Sequence, residues 1–471
     1  MAGAPDICLS GRFVAEAMTG AIVSGDGARE FAGVSIDTRT LVADELYVAI
    51  RGQRFDGTEF AAAALEAGAG GVVVPRGRGG EVGRDGPGVV IEVDDTVAAL
   101  QALANRIRRD SGAKVVAITG SAGKTTTKEV AAEFLAARYR VIRNRGNFNN
   151  HIGLPLSLID LRLRPEVAVV ELGMNHAGEI STLVRIAEPN VRVWTNVGEA
   201  HLEFFASLDA IADAKAEILE RATATTVLVA NADDDRIRSR TRTFAGRVVT
   251  FGIERPSAVH ASAIVDRGID GTSAQVSTPR GSFELTTPLV GRPNLLNVLA
   301  ATAVAVELDL PIAAVAERAR RLRPAPHRSE IVRLAGGLTI IDDSYNANPT
   351  ATRNALEVLA AERTALRRIA VLGEMLELGD RSIELHEAVG RATAGARLDV
   401  LLTVGGQGAA ALARAAVAAG LPAGNVQYFA SSGDAAAAAA TAVRPGDIVL
   451  VKGSRGIRTD RVVDRLKAEF A

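Results

Sequence analysis

The chain is poor in the residues that build disulfide scaffolds and aromatic cores: of 471 residues, one is cysteine, one tryptophan and four tyrosine. A lone thiol, Cys8, excludes an intrachain disulfide and any metal site made from a cysteine cluster. Charge of one sign is lacking too. Lys and Arg number 54 against 55 Asp and Glu, a formal charge of −1, so no bulk basic field exists to hold nucleic acid or anionic lipid. The longest uncharged stretch of note, Ala415 to Gly433, is interrupted by Gly420, Pro422, Gly424, Asn425 and Gln427, and does not read as a membrane span. The first ten residues lack the basic-then-apolar order of a secretory signal, so a soluble, cytoplasmic protein without membrane insertion is expected. Hydrophobic residues at 48% and charged residues at 23% are an ordinary globular balance, which excludes disorder as the main state. A single core rarely grows past ~250–300 residues, and at roughly 150 residues per domain about three domains are expected.

Three regions separate by pattern, with boundaries near 110 and 325. Residues 1–110 hold short strand-like runs (Leu46–Ile50, Gly71–Val74, Val89–Val93), an alanine-rich helix (Phe60–Ala67) and a Gly/Arg loop (Arg76–Gly88). In 111–325, strands at Lys114–Thr119, Val167–Leu172, Val191–Thr195 and Thr226–Ala230 alternate with helices, the rhythm of a parallel sheet covered on both faces. After Pro324-Ala325-Pro326 a second series begins in 326–471, with strands at Leu338–Asp342, Arg368–Leu372, Leu398–Val404 and Asp447–Val451, and Ala435–Ala440 within a helix. The fold class expected is three-domain α/β.

The chemistry concentrates after the first strand of the second region. Lys114–Thr119 runs into Gly120-Ser121-Ala122-Gly123-Lys124-Thr125-Thr126, then a helix with Val130, Phe134, Leu135 and Tyr139 along one side. Strand, glycine loop and helix form the context of a phosphate cradle: glycines let backbone N–H groups converge on oxygens, and the helix N-terminus adds positive potential. Lys124 would neutralise terminal phosphates and Thr125 would offer its hydroxyl to Mg²⁺, although the strict P-loop pattern needs a glycine where Ile118 stands. A Mg²⁺–nucleotide site calls for a carboxylate at a neighbouring strand end, and Glu171 ends Val-Ala-Val-Val-Glu; strand-terminal glutamates also serve structure. His201 sits in the loop after Val191–Thr195, where a histidine is usually just solvated. Lys215 falls inside the apolar stripe of Leu208, Ile211, Ile218 and Leu219 on a helix expected over Ser207–Ala222. A buried ammonium is expensive, so Lys215 either snorkels or pairs with Glu171, or its neutral amine has taken up CO₂ to give a metal-binding carbamate.

Ile118–Val130, Gly146–Pro155 (GNFNNHIGLP), Glu171–His176 (ELGMNH) and Ala200–Glu203 together resemble the ATP-dependent Mur ligases, whose own loop form is Gly-x-x-Gly-Lys-Thr-Thr. Further segments resemble the branch that joins D-alanyl-D-alanine to UDP-N-acetylmuramoyl-tripeptide. These are Ile36–Arg39 with Tyr47–Gly52 and Asp56-Gly57, Asp342–Pro349 (DDSYNANP), Gly373–Gly379 with His386, and Lys452–Arg455. Departures are Pro293, where the family commonly has His, Thr459-Asp460 in place of Met-Glu, and Asp44-Glu45 in place of Gly-Asp.

The resemblance implies a UDP-MurNAc-peptide-binding domain over 1–110, a central ATP-binding domain over 111–325 and a Rossmann-like domain binding D-alanyl-D-alanine over 326–471. It implies ATP and Mg²⁺, an acyl phosphate attacked by the dipeptide amine, and a monomer. Gly120 to Thr126 would cradle ATP, with Lys124 on the β/γ-phosphates. Thr125 and Glu171 would hold one Mg²⁺, and His201 and carbamylated Lys215 a second. Asn294 and Asn297 would contact the adenine region, or Asn294 is merely an N-cap. Arg328 would reach the nucleotide phosphates, or is a solvated linker arginine. Asp343 has a nucleotide role and Asn346 a place near the dipeptide, at a strand's C-terminal end where open α/β sheets bind ligands. Lys452 and Arg455 would steer carboxylates, Asn149, Asn150 and His151 would face the tripeptide, and Ser35, Asp37, Thr38 and Arg39 would recognise the uridine nucleotide. Asn348-Pro349 also reads as an N-cap with a first-turn proline. Rival readings are a ligase of the superfamily adding a single amino acid, or a nucleotide-binding regulator. The latter has no reason to keep Asn346, Arg455 and the sugar-nucleotide segment together.

Overall fold

The computed structural model describes residues 6–52, 54–82, 88–200, 202–363 and 365–471. Three sheets carry the chain as three α/β domains. The first has five strands in the order Ala21–Ser24, Val89–Val93, Gly71–Pro75, Leu46–Val48, Val34–Ser35, parallel except for the antiparallel Ala21–Ser24 edge. The second has nine, in the order Gly281–Thr287, Thr272–Thr278, Val259–Asp266, Arg247–Gly252, Val227–Asn231, Val191–Trp194, Lys114–Thr119, Val167–Glu171, Val141–Arg143. The third has six, in the order Glu330–Arg333, Thr339–Asp343, Ile448–Lys452, Arg368–Gly373, Val400–Val404, Val426–Phe429.

By packing, the chain groups into two compact units. One comprises Met1–Ile118, Arg138–Arg192 and Glu217–Thr226; the other comprises Thr119–Ala137, Val193–Ala216 and Val227–Ala471. In the first, Tyr47, Val72, Val74 and Val90 pack on Ala61 and Ala64 of the short helix Ala61–Glu66, covering one face of the five-stranded sheet. The helix Thr96–Ser111 starts where Asp95 accepts from Val97 and Ala98 N–H and stops at left-handed Gly112, a capped amphipathic segment. In the second unit both faces of the six-stranded sheet are buried. Leu356, Leu359, Leu372, Leu385 and Leu412 lie in one cluster, and Val404, Ala435, Ala439, Val462 and Leu466 in another. Each valine or leucine withdrawn from water there contributes ~1.5–3 kcal/mol.

Four expectations need correction. The nine-stranded sheet is not wholly parallel: Val259–Asp266, Thr272–Thr278 and Gly281–Thr287 form an antiparallel meander whose one-sided alternation differs from the continuous apolar runs of parallel strands. The six-stranded sheet likewise carries an antiparallel edge, Glu330–Arg333. The helix expected over Ser207–Ala222 is Leu208–Ala216, followed by a 3₁₀ turn Glu217–Leu219. The phosphate-loop helix ends at Leu135, so Tyr139 lies beyond it. In the Arg76–Gly88 loop a 3₁₀ turn forms at Gly79–Glu81, and residues 83–87 lie outside the described residues.

Candidate active site

In the second unit, buried Thr119 delivers the chain into Gly120 (φ +152°) and on to Gly123 (φ +79°), the residue before the helix Lys124–Leu135. Both glycines are dictated by close approach. A Cβ on Gly120 would stand 1.9 Å from Thr195 Oγ1, and one on Gly123 would stand 2.2 Å from Asn297 Oδ1. The residues just after the strand Val191–Trp194 pin the loop. Ala122 N donates to Asn196 Oδ1 (2.8 Å), and Thr195 Oγ1 donates to Ala122 O (2.8 Å). Ser121 N donates to Asn196 O (3.0 Å), and Ser121 Oγ exchanges hydrogen bonds with Gly198 O (3.1 Å) and Gly198 N (2.9 Å). Thr127 Oγ1 donates to Asn297 Oδ1 (3.3 Å), while Lys124 Nζ crosses its own loop to Gly120 O (2.8 Å). The ammonium therefore hangs over a rigid turn of backbone that opens a helix N-terminus, the arrangement that collects phosphate oxygens.

Asn294 is not an N-cap. The helix Gly291–Glu307 is capped by Val290, and Asn294 lies inside it, donating to Val290 O (2.9 Å) and accepting from Asn297 Nδ2 (3.3 Å). Lys215 is 1% exposed on a helix that also buries Ile211, Ala212 and Ala214, which excludes snorkelling to solvent. His201 lies outside the described residues.

At the C-terminal end of Thr339–Asp343 the signature segment makes a second polar cluster in the same unit. Lys452 Nζ, on a buried residue, pairs with Asp343 Oδ2 (2.6 Å) and donates to Asn346 O (3.0 Å), so it holds the turn in place before it can steer any carboxylate. Asp343 Oδ1 accepts from Ser329 N (3.1 Å). Buried Asp342 holds His327 Nδ1 at 2.8 Å, and the ring of Tyr345 receives two guanidiniums, Arg328 at 4.3 Å and Arg455 at 5.8 Å. Arg328 is therefore a half-buried, stacked cation and not a solvated linker residue. Arg455 also stands 3.7 Å from Asp460, and Asn346 is exposed. Asn348 caps Pro349–Ala361 by accepting from Ala351 N (2.8 Å), as its sequence context predicts.

In the first unit Glu171 ends its strand almost wholly buried, its N–H on Asn144 Oδ1 (3.0 Å) and its Oε1 accepting from Asn149 Nδ2 (3.0 Å). Asn150 Oδ1 accepts from Ile152 N (3.1 Å) and Gly153 N (2.8 Å) just ahead of the helix Gly153–Ile159, and His151 is exposed. In the first sheet, Ser35 Oγ accepts from Asp37 N (3.2 Å), and Asp37 accepts from Arg39 at N, Nε and Nη2. That guanidinium holds the Asp37 carboxyl down at about 2. Thr38 is half-buried beside them. Tyr47 donates to Gly57 O (3.0 Å), and burial pushes its phenol up.

Sequence reasoning missed Thr195, Asn196 and Gly198, which brace the loop. The available signal was an asparagine directly after a buried strand, a place where side-chain amides satisfy turn backbone. It also missed Glu199, which accepts from Arg353 Nη2 (2.8 Å) and Thr350 Oγ1 (3.4 Å). His386, quoted for resemblance alone, is fully buried; its Nε2 accepts from Met375 N (2.8 Å), its Nδ1 donates to Ser382 O (2.7 Å), and burial lowers its pKa.

Comparison with known proteins agrees with this geometry. Residues 30–108 match the Mur ligase family catalytic domain, 118–305 the Mur ligase middle domain and 327–455 the Mur ligase glutamate ligase domain. The UDP-N-acetylmuramoyl-tripeptide–D-alanyl-D-alanine ligase of Bacillus subtilis is 33% identical over 92% of this chain and 93% of its own length. The chain belongs to the Mur ligase family. An Escherichia coli relative of the same description is 36% identical over 79% of this chain and 81% of its own. Among solved structures, MurF from Acinetobacter baumannii superposes with a TM-score of 0.87 at 29% identity, covering 99% of this chain and all of that one. MurF from Thermotoga maritima in complex with ADP gives 0.80 at 29% identity, covering 93% and 97%. In this Mur ligase Ile118, where a strict P-loop would have glycine, is a fully buried strand residue, and the cradle begins only at Gly120.

Proposed function

We propose that this Mur ligase uses ATP to join D-alanyl-D-alanine to UDP-N-acetylmuramoyl-tripeptide, completing the pentapeptide precursor of the cell wall. The observation that carries this is the braced phosphate loop with Lys124 above it, in a chain aligned over nearly its whole length with ligases of that description. A carboxylate at neutral pH resists nucleophiles; phosphorylation converts its oxygen into a leaving group. The tripeptide carboxylate attacks the γ-phosphorus, ADP departs, and an acyl phosphate forms. The dipeptide amine then adds to the carbonyl, loses a proton, and expels phosphate as the amide forms. Charge moves through phosphoryl oxygens throughout, so fixed donors and cations supply most of the acceleration.

Residues 120–126 bind the triphosphate, and Lys124 neutralises its terminal oxygens. Arg328, held over the ring of Tyr345, supplies a second cation. Asn294 and Asn297 serve the adenine side, Asp343 the nucleotide, and Asn346 and Arg455 the dipeptide. Asn150 and His151 serve the tripeptide, Asn149 doing so while it orients Glu171. Ser35, Asp37, Thr38 and Arg39 read the uridine nucleotide. The domain assignments 1–110, 111–325 and 326–471 follow from these roles. Mg²⁺ would draw charge from the phosphoryl oxygens. Thr125, Glu171, His201 and a carbamylated Lys215 would be its protein ligands. Among the described residues no three His, Cys, Asp or Glu side chains gather as a metal cage. The hydroxyl and carboxylate oxygens present still suit an ion that keeps water and substrate oxygens in its shell. A cytoplasmic monomer fits these roles, and among the described residues no helix is long and apolar enough to cross a membrane.

The test is direct. Purified protein receives ATP, Mg²⁺, UDP-N-acetylmuramoyl-tripeptide and D-alanyl-D-alanine, with phosphate and nucleotide-linked product followed together. Stoichiometric release that depends on the dipeptide is expected. Release without dipeptide would identify an NTPase, and turnover with one amino acid a different ligase.

A further inference from the structure

A cavity of about 360 Å³ opens in the first unit, away from every residue given a role above. It is lined by Glu188, Asn190 and Arg192, at the start of the strand Val191–Trp194, and by Arg221, Thr223, Thr225 and Thr226 of the turn before Val227–Asn231. Asn190 Oδ1 accepts from Val115 N (2.9 Å), which places the cavity beside the start of Lys114–Thr119; the phosphate loop follows that strand's other end.

Arg192 is the anomaly. It is 2% exposed, its Nη1 donates to the carbonyls of Ile218 and Glu220, and its buried Nε has no hydrogen-bond partner. Carbonyls offer partial charge only, and the carboxylate whose field reaches Arg192, that of Glu220, makes no hydrogen bond to it, so this buried cation is only partly compensated. Two acidic side chains stand nearby, and Glu188 itself lines the cavity. Glu188 is paired with Arg109, and Glu220 accepts from Ser181 Oγ (2.5 Å). Arg221 adds a second guanidinium from a left-handed backbone (φ +56°), a conformation that a non-glycine residue keeps only where its surroundings impose it. Hydroxyls of Thr223 and Thr225 lie 2.9 Å apart on the same wall. Two arginines and a set of hydroxyls on one cavity offer more donors than the two oxygens of a carboxylate can accept, and suit an oxyanion with three or four acceptor oxygens.

We propose that this cavity is a second oxyanion site, binding inorganic phosphate or a small phosphomonoester through Arg192, Arg221 and the hydroxyls of Thr223 and Thr225. The probe is inorganic phosphate, titrated by calorimetry into the full-length Lys124→Ala protein, in which the phosphate loop is disabled. Glycerol 3-phosphate and acetate serve as parallel arms. Saturable phosphate binding is expected, weakened at least tenfold by adding Arg221→Ala or Thr223→Val, both at exposed positions that leave the core intact. Tighter binding of glycerol 3-phosphate than of phosphate would identify the phosphomonoester as the ligand within the same proposal. Absence of saturable binding, binding unchanged by both second substitutions, or equal binding of acetate would each overturn it.

Discussion

Lys124 and Gly123 make opposite demands on the same turn. The lysine must be long and charged; the glycine must be absent as a side chain. Lys124→Ala removes the cation above the cradle and no packing, so turnover should fall by roughly two to three orders of magnitude with an unchanged circular dichroism spectrum. Gly123→Ala would put a methyl against the Asn297 amide at a left-handed position, a backbone cost of about 1–2 kcal/mol before the collision is counted. Weaker ADP binding by at least the corresponding factor of about 5–30 is expected, read by calorimetry. Lys215 carries a sharper test. If its amine works as a carbamate, Lys215→Ala should be inactive and partly restored by a short carboxylic acid. Failure of rescue together with an unmodified lysine signal by NMR would leave it a buried structural cation. His386 gives a pH signature. Burial lowers its pKa in the folded protein, and its Nε2 is committed as an acceptor from Met375 N–H. Below pH ~6.5 the unfolded chain takes up a proton that the folded imidazole refuses. Its contribution to stability is therefore complete above that value and declines as the pH falls through it. The urea midpoint should drop on acidification, and His386→Gln, whose amide oxygen can still accept, should flatten that slope.

At the scale of elements, the strand–loop–helix unit and the C-terminal βα series were legible because buried parallel strands write themselves as unbroken apolar runs. Val167–Glu171 and Ile448–Lys452 are buried at every position. The meander over 259–287 was not, because half its residues face water and its polar alternation resembles loop. The Lys215 helix stops at Ala216, yet its stripe continues in phase through the 3₁₀ turn to Leu219, so periodicity alone overran the end. Candidate site residues adjacent in sequence to the glycine loop could be read directly. Thr195 and Asn196 could not, since they reach the loop only through sheet pairing more than seventy residues on. Those braces predict an element-level effect. Asn196→Ala leaves Ala122 N–H without its acceptor and should cost about 1–3 kcal/mol of local order. Faster amide exchange confined to residues 120–126, with the sheet's own exchange unchanged, is the expected reading.

Across the whole molecule, the proposed reaction requires an acyl phosphate formed at the phosphate loop to meet an amine held by residues 326–471; Leu202 and Ile269 pack against the core of that region, and polar contacts join it as well. Arg353 on the helix Pro349–Ala361 reaches Glu199, one residue from the Gly198 that holds Ser121. Glu203 N donates to Glu377 O (3.0 Å), and Arg333 pairs with Asp270 at 2.7 Å. Partly exposed ion pairs of this kind are worth only ~0.2–1 kcal/mol each, enough to bias a closure but little in overall stability. Arg353→Ala should therefore leave the unfolding midpoint and ADP affinity nearly unchanged. Its effect should fall on kcat, by up to about tenfold, because the third domain would spend less time with its dipeptide against the acyl phosphate. Steady-state kinetics separate the outcomes. A loss confined to kcat, restored in part by Arg353→Lys, fits a contact that times closure. A parallel loss of ADP affinity would place Arg353 in nucleotide binding instead. Small-angle scattering adds the structural readout: compaction with ADP and dipeptide together in the parent protein, reduced in the variant.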